Sequence, residues 1–284
     1  MVWAAAVERL RRERRAGVLV TLLAVRGHAP RAAGAKMVVA ADGTWGSIGG
    51  GNLEATAVAR ARAMLVEGSV APEQLTLALS HRSRTEHGRQ CCGGEVSILL
   101  EPLPVVAAVA VFGVGHVGLE LARVLARHDL ELHLVDSRAE QLTAERLSCL
   151  DDAVARVQVH HAVLPELVLA ELPTGTHVVV MTHDHAEDAA LCDAALRCDH
   201  LGTIGVIGSS AKAGRFRRVL TDDGHPPDAV ARLRSPIGLP GFTGKEPAVI
   251  AVAVAAELLG RISAERAERS PPDQGPRDRE STTR

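Results

Sequence analysis

The chain has 284 residues, a formal charge of −2 and 46% hydrophobic residues, yet only three Phe, two Trp and no Tyr. At roughly 150 residues per domain, the length implies two globular units, whose cores must be aliphatic, built from Ala, Val and Leu. Near-neutral charge without a long basic block excludes nucleic acid as the main partner, because neutralising phosphates takes clustered Lys and Arg.

The first element expected is a helix over residues 2–15, with the basic run from Arg9 to Arg15 as its solvated face. This stretch has no apolar core followed by a small-residue cleavage site, and no uninterrupted apolar stretch in the chain is long enough to cross a bilayer, so neither export nor membrane insertion is expected. A strand follows over residues 18–25 and a loop over Gly27-His28-Ala29-Pro30-Arg31. Residues 36–41 and 44–48 flank Asp42-Gly43, a dipeptide suited to a tight hairpin turn. Gly49-Gly50-Gly51-Asn52 then precedes an Ala-rich helix over residues 53–66, with Asn52 as its expected cap. Glycines at that point leave the first amides of the helix available to an anion.

Arg89-Gln90-Cys91-Cys92-Gly93-Gly94-Glu95 sets two adjacent thiols against a glycine pair, just before an apolar strand over residues 96–101. Adjacent cysteines lack the bite of a C-x₂-C zinc site, and pairing them with each other closes a strained ring. Soft-metal or sulfur chemistry therefore explains them better than packing does. With Cys149, Cys192 and Cys198 the total is five, odd and scattered, unlike a secreted disulfide framework; a reducing cytoplasm is the expected compartment.

Pro102-Leu103-Pro104 reads as a hinge, giving an N-terminal unit over residues 1–101 and a second unit over 105–265. The second opens with a buried-type strand over residues 105–112, then Gly113-Val114-Gly115-His116-Val117-Gly118, a helix over 119–127 and a strand over 131–135 ending in Asp136. Here Gly113, Gly115 and Gly118 permit a tight turn, close approach to a pyrophosphate and helix packing, and the acid lies where it would meet a ribose hydroxyl. Further strands are expected over residues 154–159, 177–181 and 201–207, and helices over 164–172, 186–197, 211–220 and 246–262. This alternation predicts an α/β protein whose second unit is a Rossmann-like, doubly wound parallel sheet. Residues 266–284, rich in Pro, charge and Ser/Thr, are expected to be disordered.

Two other segments carry candidate chemistry. Thr182-His183-Asp184-His185 falls at the carboxyl edge of the sheet, where two imidazoles around a carboxylate can bind a metal or move protons, or where Asp184 or Thr182 can simply cap the next helix. Gly205-Val206-Ile207-Gly208-Ser209-Ser210 leads into a helix with Lys212, Arg215, Arg217 and Arg218, a pattern suited either to a phosphate or to a serine cap.

In combination these segments resemble the XdhC/CoxI family of xanthine dehydrogenase accessory proteins. The resemblance rests on Pro30-Arg31-Ala32-Ala33-Gly34, Trp45-Gly46-Ser47-Ile48-Gly49-Gly50-Gly51 with Leu53-Glu54-Ala55, and Gln90-Cys91-Cys92-Gly93-Gly94. It continues with Gly113-Val114-Gly115-His116-Val117-Gly118, Thr182-His183-Asp184-His185, Ile207-Gly208-Ser209 and Ser235-Pro236-Ile237-Gly238-Leu239. Relatives commonly carry Leu-Gly-Gln before the thiols, where this chain has Gly88-Arg89-Gln90.

The resemblance implies a chaperone of purine catabolism and not an enzyme: a protein that binds molybdenum cofactor, holds it while a cysteine desulfurase supplies the sulfido ligand, and hands it to apo-xanthine dehydrogenase. It places cofactor binding at Gln90, Cys91, Cys92, Gly93, Gly94, Gly49, Gly50, Gly51, Gly113, Gly115, Gly118, Asp136, His183, Asp184 and His185, with molybdenum contact at Cys91 or Cys92. A homodimer is expected, and a nucleotide in the Rossmann unit is compatible with the same turn. The competing classes are an NAD(P)-dependent oxidoreductase, for which Asp136-Ser137-Arg138 fits either dinucleotide, and a cofactor chaperone for another molybdenum hydroxylase.

Overall fold

The computed structural model describes residues 2–79 and 94–268. By its contacts the chain divides into two units, Met1–Val105 with Ala264–Arg284, and Val106–Ser263.

The first unit is built on an antiparallel sheet in the order β3-β2-β1-β5-β4, from β1 (Gly17–Gly27), β2 (Lys36–Ala40), β3 (Gly43–Gly46), β4 (Glu73–Leu79) and β5 (Gly94–Leu103). Alternation along β2 sends Met37 and Val39 to one face and Val38 and Ala40 to the other. Helix α2 (Gly51–Glu67) covers the first face with Leu53, Ala57, Ala61 and Met64, whose spacing forms a single stripe and whose small alanines let the helix sit close to the strands. Helix α1 (Trp3–Arg12) covers the other with Ala6 and Leu10. The segment of residues 80–93 joins β4 to β5, and the ends it connects are paired, Leu79 opposite Gly94.

The second unit is a parallel sheet in the order β11-β10-β9-β6-β7-β8, from β6 (Ala108–Phe112), β7 (Glu131–Asp136), β8 (Arg156–His161), β9 (His177–Val180), β10 (Ile204–Val206) and β11 (Leu233–Arg234). Helices α3 (His116–Leu125) and α8 (Pro247–Glu268) pack one face against Val109, Val111, Leu132 and Leu134. The opposite face, Ala110, Phe112, Val178 and Val180, lies under α5 (His185–Leu196), α6 (Ser210–Asp222) and a 3₁₀ turn over Pro165–Glu171. Two short helices, α4 (Ala144–Leu147) and α7 (Pro227–Ala231), complete the unit. The winding reverses between β6 and β9, which puts the switch point of the sheet at Gly113 and Met181.

The structure corrects several expectations. No hinge begins at Pro102: Pro102 and Leu103 lie in β5, opposite Val18 and Gly17, and Leu103 packs beside Leu10. Asn52 does not cap α2, which starts two residues earlier than expected, at Gly51, with Gly50 at the cap. The helix expected over residues 164–172 is a 3₁₀ turn, because Pro165 starts it and Pro173 stops it, leaving fewer than two α-turns. β4 was not anticipated. Helix α8 has the length and composition of a bilayer span, although Glu257 and Arg261 interrupt its apolar run. Here Ala251, Val254, Ala255, Leu258 and Ile262 are core residues, and Glu257 pairs with Arg234 and Arg261.

One polar cluster fastens the second half of this sheet. Asp188 of α5 is fully buried; it accepts from the Thr182 amide (3.1 Å) and hydroxyl (2.7 Å) and from Lys212 Nζ of α6 (2.7 Å). Removing one partner of a buried pair strands the other charge. Lys212→Met should therefore lower unfolding stability by about 3 kcal/mol, measured by denaturant titration, and Lys212→Met with Asp188→Leu should recover part of the loss.

Candidate functional site

Each glycine of the Rossmann turn has a different task. Gly113 has φ +97°, and a Cβ there would lie 2.5 Å from the Met181 carbonyl oxygen, so only glycine lets β6 and the end of β9 approach. At Gly118 a Cβ would sit 2.0 Å from the Gly113 carbonyl oxygen, so this glycine serves the packing of α3 on the strand. Gly115, the backbone cap of α3, has φ −68°, and a Cβ there would meet nothing nearer than Arg138 Nη2 at 4.0 Å. The fold itself does not demand glycine at 115. The space in front of it, at a helix start with no side-chain cap, is the feature that suits a phosphate-bearing ligand.

Asp136 sits beside that space, but its carboxylate is already engaged. Oδ2 accepts from the Val114 amide (2.7 Å) and Arg138 Nη2 (3.0 Å), and Oδ1 from the Arg138 amide and Nε (both 3.0 Å). A carboxylate offers about four lone-pair positions, so a ribose diol could be read only if Arg138 first swung away. Burial pushes the Asp136 carboxyl up, but the Arg138 and Val114 bonds outweigh it and hold the group below the usual carboxylate range. Glu187 of α5, half-buried and accepting from Ser137 Oγ at 3.1 Å, shifts the other way, raised first by burial and then by the Asp136 charge.

Sequence reasoning passed over Arg138 as the partner of Asp136, and Glu187 altogether. The first could have been found from the two-residue offset of the pair at a strand end. No sequence signal marked the second, because the contact with Ser137 spans fifty positions.

In the segment after β9, Asp184 is the side-chain cap of α5: its Oδ1 accepts from the Ala186 amide (2.6 Å) and the Glu187 amide (3.2 Å). Those amides, together with the neighbouring His183 and His185, keep its carboxyl below the ordinary value. His183 and His185 are exposed. Among the described residues no group of three His, Cys, Asp or Glu is placed to hold a metal. Ser209 caps α6 through the Lys212 amide at 3.3 Å.

In the first unit, three separated motifs meet at one end of the sheet. Gly94 pairs with Gly27, and a Cβ on it would lie 2.7 Å from the His28 carbonyl oxygen. A Cβ on Gly49 would lie 3.1 Å from the Pro30 ring, while Gly50 and Gly51, both at positive φ, face open space. The anion at this turn is the chain's own Glu54, whose Oε2 accepts from Ser47 Oγ (2.6 Å) and the amides of Ile48 (3.2 Å) and Gly50 (3.0 Å). Burial opposes ionisation of Glu54, but these donors prevail and its carboxyl falls below the ordinary value.

Gln90, Cys91, Cys92 and Gly93 lie outside the described residues. Of the other cysteines, Cys192 is fully buried, and its thiol is pushed up to about 12 by burial and by the Asp188 charge; it is a packing residue, not a nucleophile. Cys149 and Cys198 are half-buried and free.

Residues 109–258 match the family described as the XdhC Rossmann domain, and residues 10–76 match the XdhC and CoxI family. The chain belongs to the XdhC family. The two XdhC matches fall on the two units described above. An Escherichia coli K12 protein described as uncharacterized protein YqeB is 26% identical over 245 residues, covering 82% of this chain and 41% of that protein. This XdhC chain thus spans about two fifths of that relative's length. Among solved structures, a Bacillus halodurans protein described as a xanthine dehydrogenase is 20% identical, with 96% of this chain and 98% of that one covered and a TM-score of 0.48. The E. coli tRNA N6-threonylcarbamoyladenosine dehydratase is 16% identical, with 57% and 88% covered and a TM-score of 0.42.

Two outcomes follow from this geometry. Gly118→Ala should cost about 1–3 kcal/mol in unfolding stability through overpacking, whereas Gly115→Ala should change it by less than about 0.5 kcal/mol; equal losses in denaturant titrations would remove the distinction between a packing glycine and a ligand-facing one. For Glu187, the folded state binds its proton more tightly than the unfolded chain, so its contribution to stability is complete below the ordinary value of 4.5 and is lost as pH rises through the raised one. The stability of Glu187→Gln relative to wild type should therefore climb across that window, measured by unfolding at a series of pH values, and a flat difference would contradict the shift.

Proposed function

We propose that this XdhC-family chain is a xanthine dehydrogenase accessory protein: it binds molybdenum cofactor as cargo, keeps it while a cysteine desulfurase supplies the sulfido ligand, and delivers it to apo-xanthine dehydrogenase in the cytoplasm. Family membership across both units supports the role. The observation that carries the cargo reading is the open Gly115 cradle beside a saturated Asp136. Such a turn suits a phosphate ester more than a nucleotide whose ribose diol an acid must recognise.

In this reading the amides at the start of α3 hold the phosphate of the cargo, and Gly115 allows the close approach. Gly49, Gly50, Gly51 and Gly94 shape the end of the first unit next to which the Gln90-Cys91-Cys92-Gly93 segment joins the sheet, and the two thiols give the soft ligand that molybdenum or a sulfur donor prefers. His183 and His185, exposed beside the Asp184 cap, would meet the cargo's polar edge.

One observation favours a second reading, an NADP-dependent oxidoreductase: Arg138 Nη2 lies 4.0 Å from where a Cβ on Gly115 would stand, so a guanidinium beside the turn could pair with a ribose phosphate.

The test is reconstitution of apo-xanthine dehydrogenase with molybdenum cofactor, cysteine desulfurase and cysteine, with and without the protein. Xanthine oxidation should recover with wild type at least tenfold faster than without it, and Cys91→Ser/Cys92→Ser and Gly115→Val should each lose most of that gain. Equal recovery in every arm refutes the chaperone role. Stoichiometric NADP binding with substrate-dependent hydride transfer would establish the oxidoreductase in its place.

A further inference from the structure

Helices α5 and α6 leave between them a groove of about 890 Å³. Its apolar surface comes from Ala186 and Ala189 on α5 and from Phe216 and Val219 on α6, and its polar lining includes Lys212 and Arg215. The small side chains on α5 make the space: alanines at three-residue spacing keep that helix face low, while the Phe216 ring, almost fully buried, forms a flat wall. The volume lies within the range of roughly 300–1,000 Å³ typical of small-molecule sites.

The charge in this groove is one-sided. Among the described residues no carboxylate lines it. Lys212 Nζ uses one bond on Asp188 and lies 5.2 Å from the Phe216 ring centroid, so it is fixed in place with donors to spare. Arg215 makes no hydrogen bond or ion pair among the described residues. An apolar wall beside an unpaired guanidinium and an anchored ammonium complements a ligand with a flat apolar body and one anionic group.

We propose that the α5/α6 groove is a binding site for a small amphipathic anion, an aromatic or planar compound bearing a carboxylate, sulfonate or phosphate. Of the described residues assigned above to the cargo only His185 borders this groove, so its test does not depend on the chaperone role. Arg215 supplies the anion contact, Lys212, its charge balanced by Asp188, offers a further N–H donor, and Ala189 sets the depth available to the apolar body.

Fluorescence titration of the full chain with anilinonaphthalene sulfonate, and with the uncharged N-phenylnaphthylamine, tests this directly. Wild type should bind the sulfonate saturably, one per chain. Arg215→Ala should weaken that binding by about tenfold, the scale of one charge-assisted hydrogen bond, while changing the uncharged probe by less than about twofold. Ala189→Leu should weaken both probes by blocking the groove; if it does not fold, as judged by its unfolding transition, the exposed Val219→Asp replaces it and should weaken the sulfonate by charge repulsion. Sulfonate affinity within about twofold of wild type in either the arginine or the groove variant overturns the proposal. So does a wild type that binds no probe. If in that case Val219→Asp turns a dimer into a monomer by light scattering, the groove is a face for a second copy of the chain.

Discussion

Everything at the carboxyl edge of the second unit depends on how closely three backbones can meet. The start of α3, the end of β6 and the end of β9 converge at Gly113, Gly118 and Met181, with separations that leave no room for even a methyl group. That crossing lets the sheet wind in both directions from β6, and so sets the switch point where open α/β folds keep their ligands. Gly115 stands between these two packing glycines in sequence but outside the crossing in space. The turn is thus rigid where the strands need it and accessible where a ligand would come.

A common electrostatic device operates in both units. Glycine-rich turns gather backbone amides, and an unsatisfied amide is costly once shielded from water. In the first unit Glu54 reaches back from the first turn of α2 to the amides of Ile48 and Gly50, much as a capping box does. In the second, Asp136 takes the Val114 amide and is itself clamped by Arg138. Each turn thereby carries its own anion, which fixes its shape before any outside group arrives. A sugar hydroxyl at the Rossmann turn would have to compete with the Arg138 guanidinium for the same oxygens.

Much of this could be read from the chain. The run from Ala108 to Asp136 combined apolar strands with glycines at distinctive offsets, and both the doubly wound sheet and the turn are where that pattern put them. The helix after β9 was also legible, and of its two cap candidates, Asp184 and Thr182, Asp184 is the one that caps it. What escaped depended on long-range or competing effects. β4 is a short alternating strand whose pairing with β5 rests on a partner some twenty positions away. Pro102 looked like a hinge because proline cannot donate to a ladder, yet at the end of a strand that missing donor is tolerated. Asn52 is a good cap by type, but the left-handed glycines before it place the helix start at Gly51, and Glu54 supplies the bonds instead. For the site, glycine spacing indicated the turn, whereas the only sign that Asp136 is occupied was the two-residue offset to Arg138 at the strand end.

The junction at Asp188 also bears on how this protein breathes. One carboxylate holds the Thr182 backbone, the Thr182 hydroxyl and Lys212, so the turn after β9, the body of α5 and the start of α6 share a single fastening. Drawing Lys212 away would leave a bare charge in an apolar interior and freeing Thr182 would strip the same carboxylate of two donors, which makes piecemeal fraying of this half of the sheet more costly than releasing it whole. β9, β10, α5 and α6 should behave as one cooperative block, so that local unfolding near the His183 turn is governed by the stability of half a domain and not by the looseness of a loop.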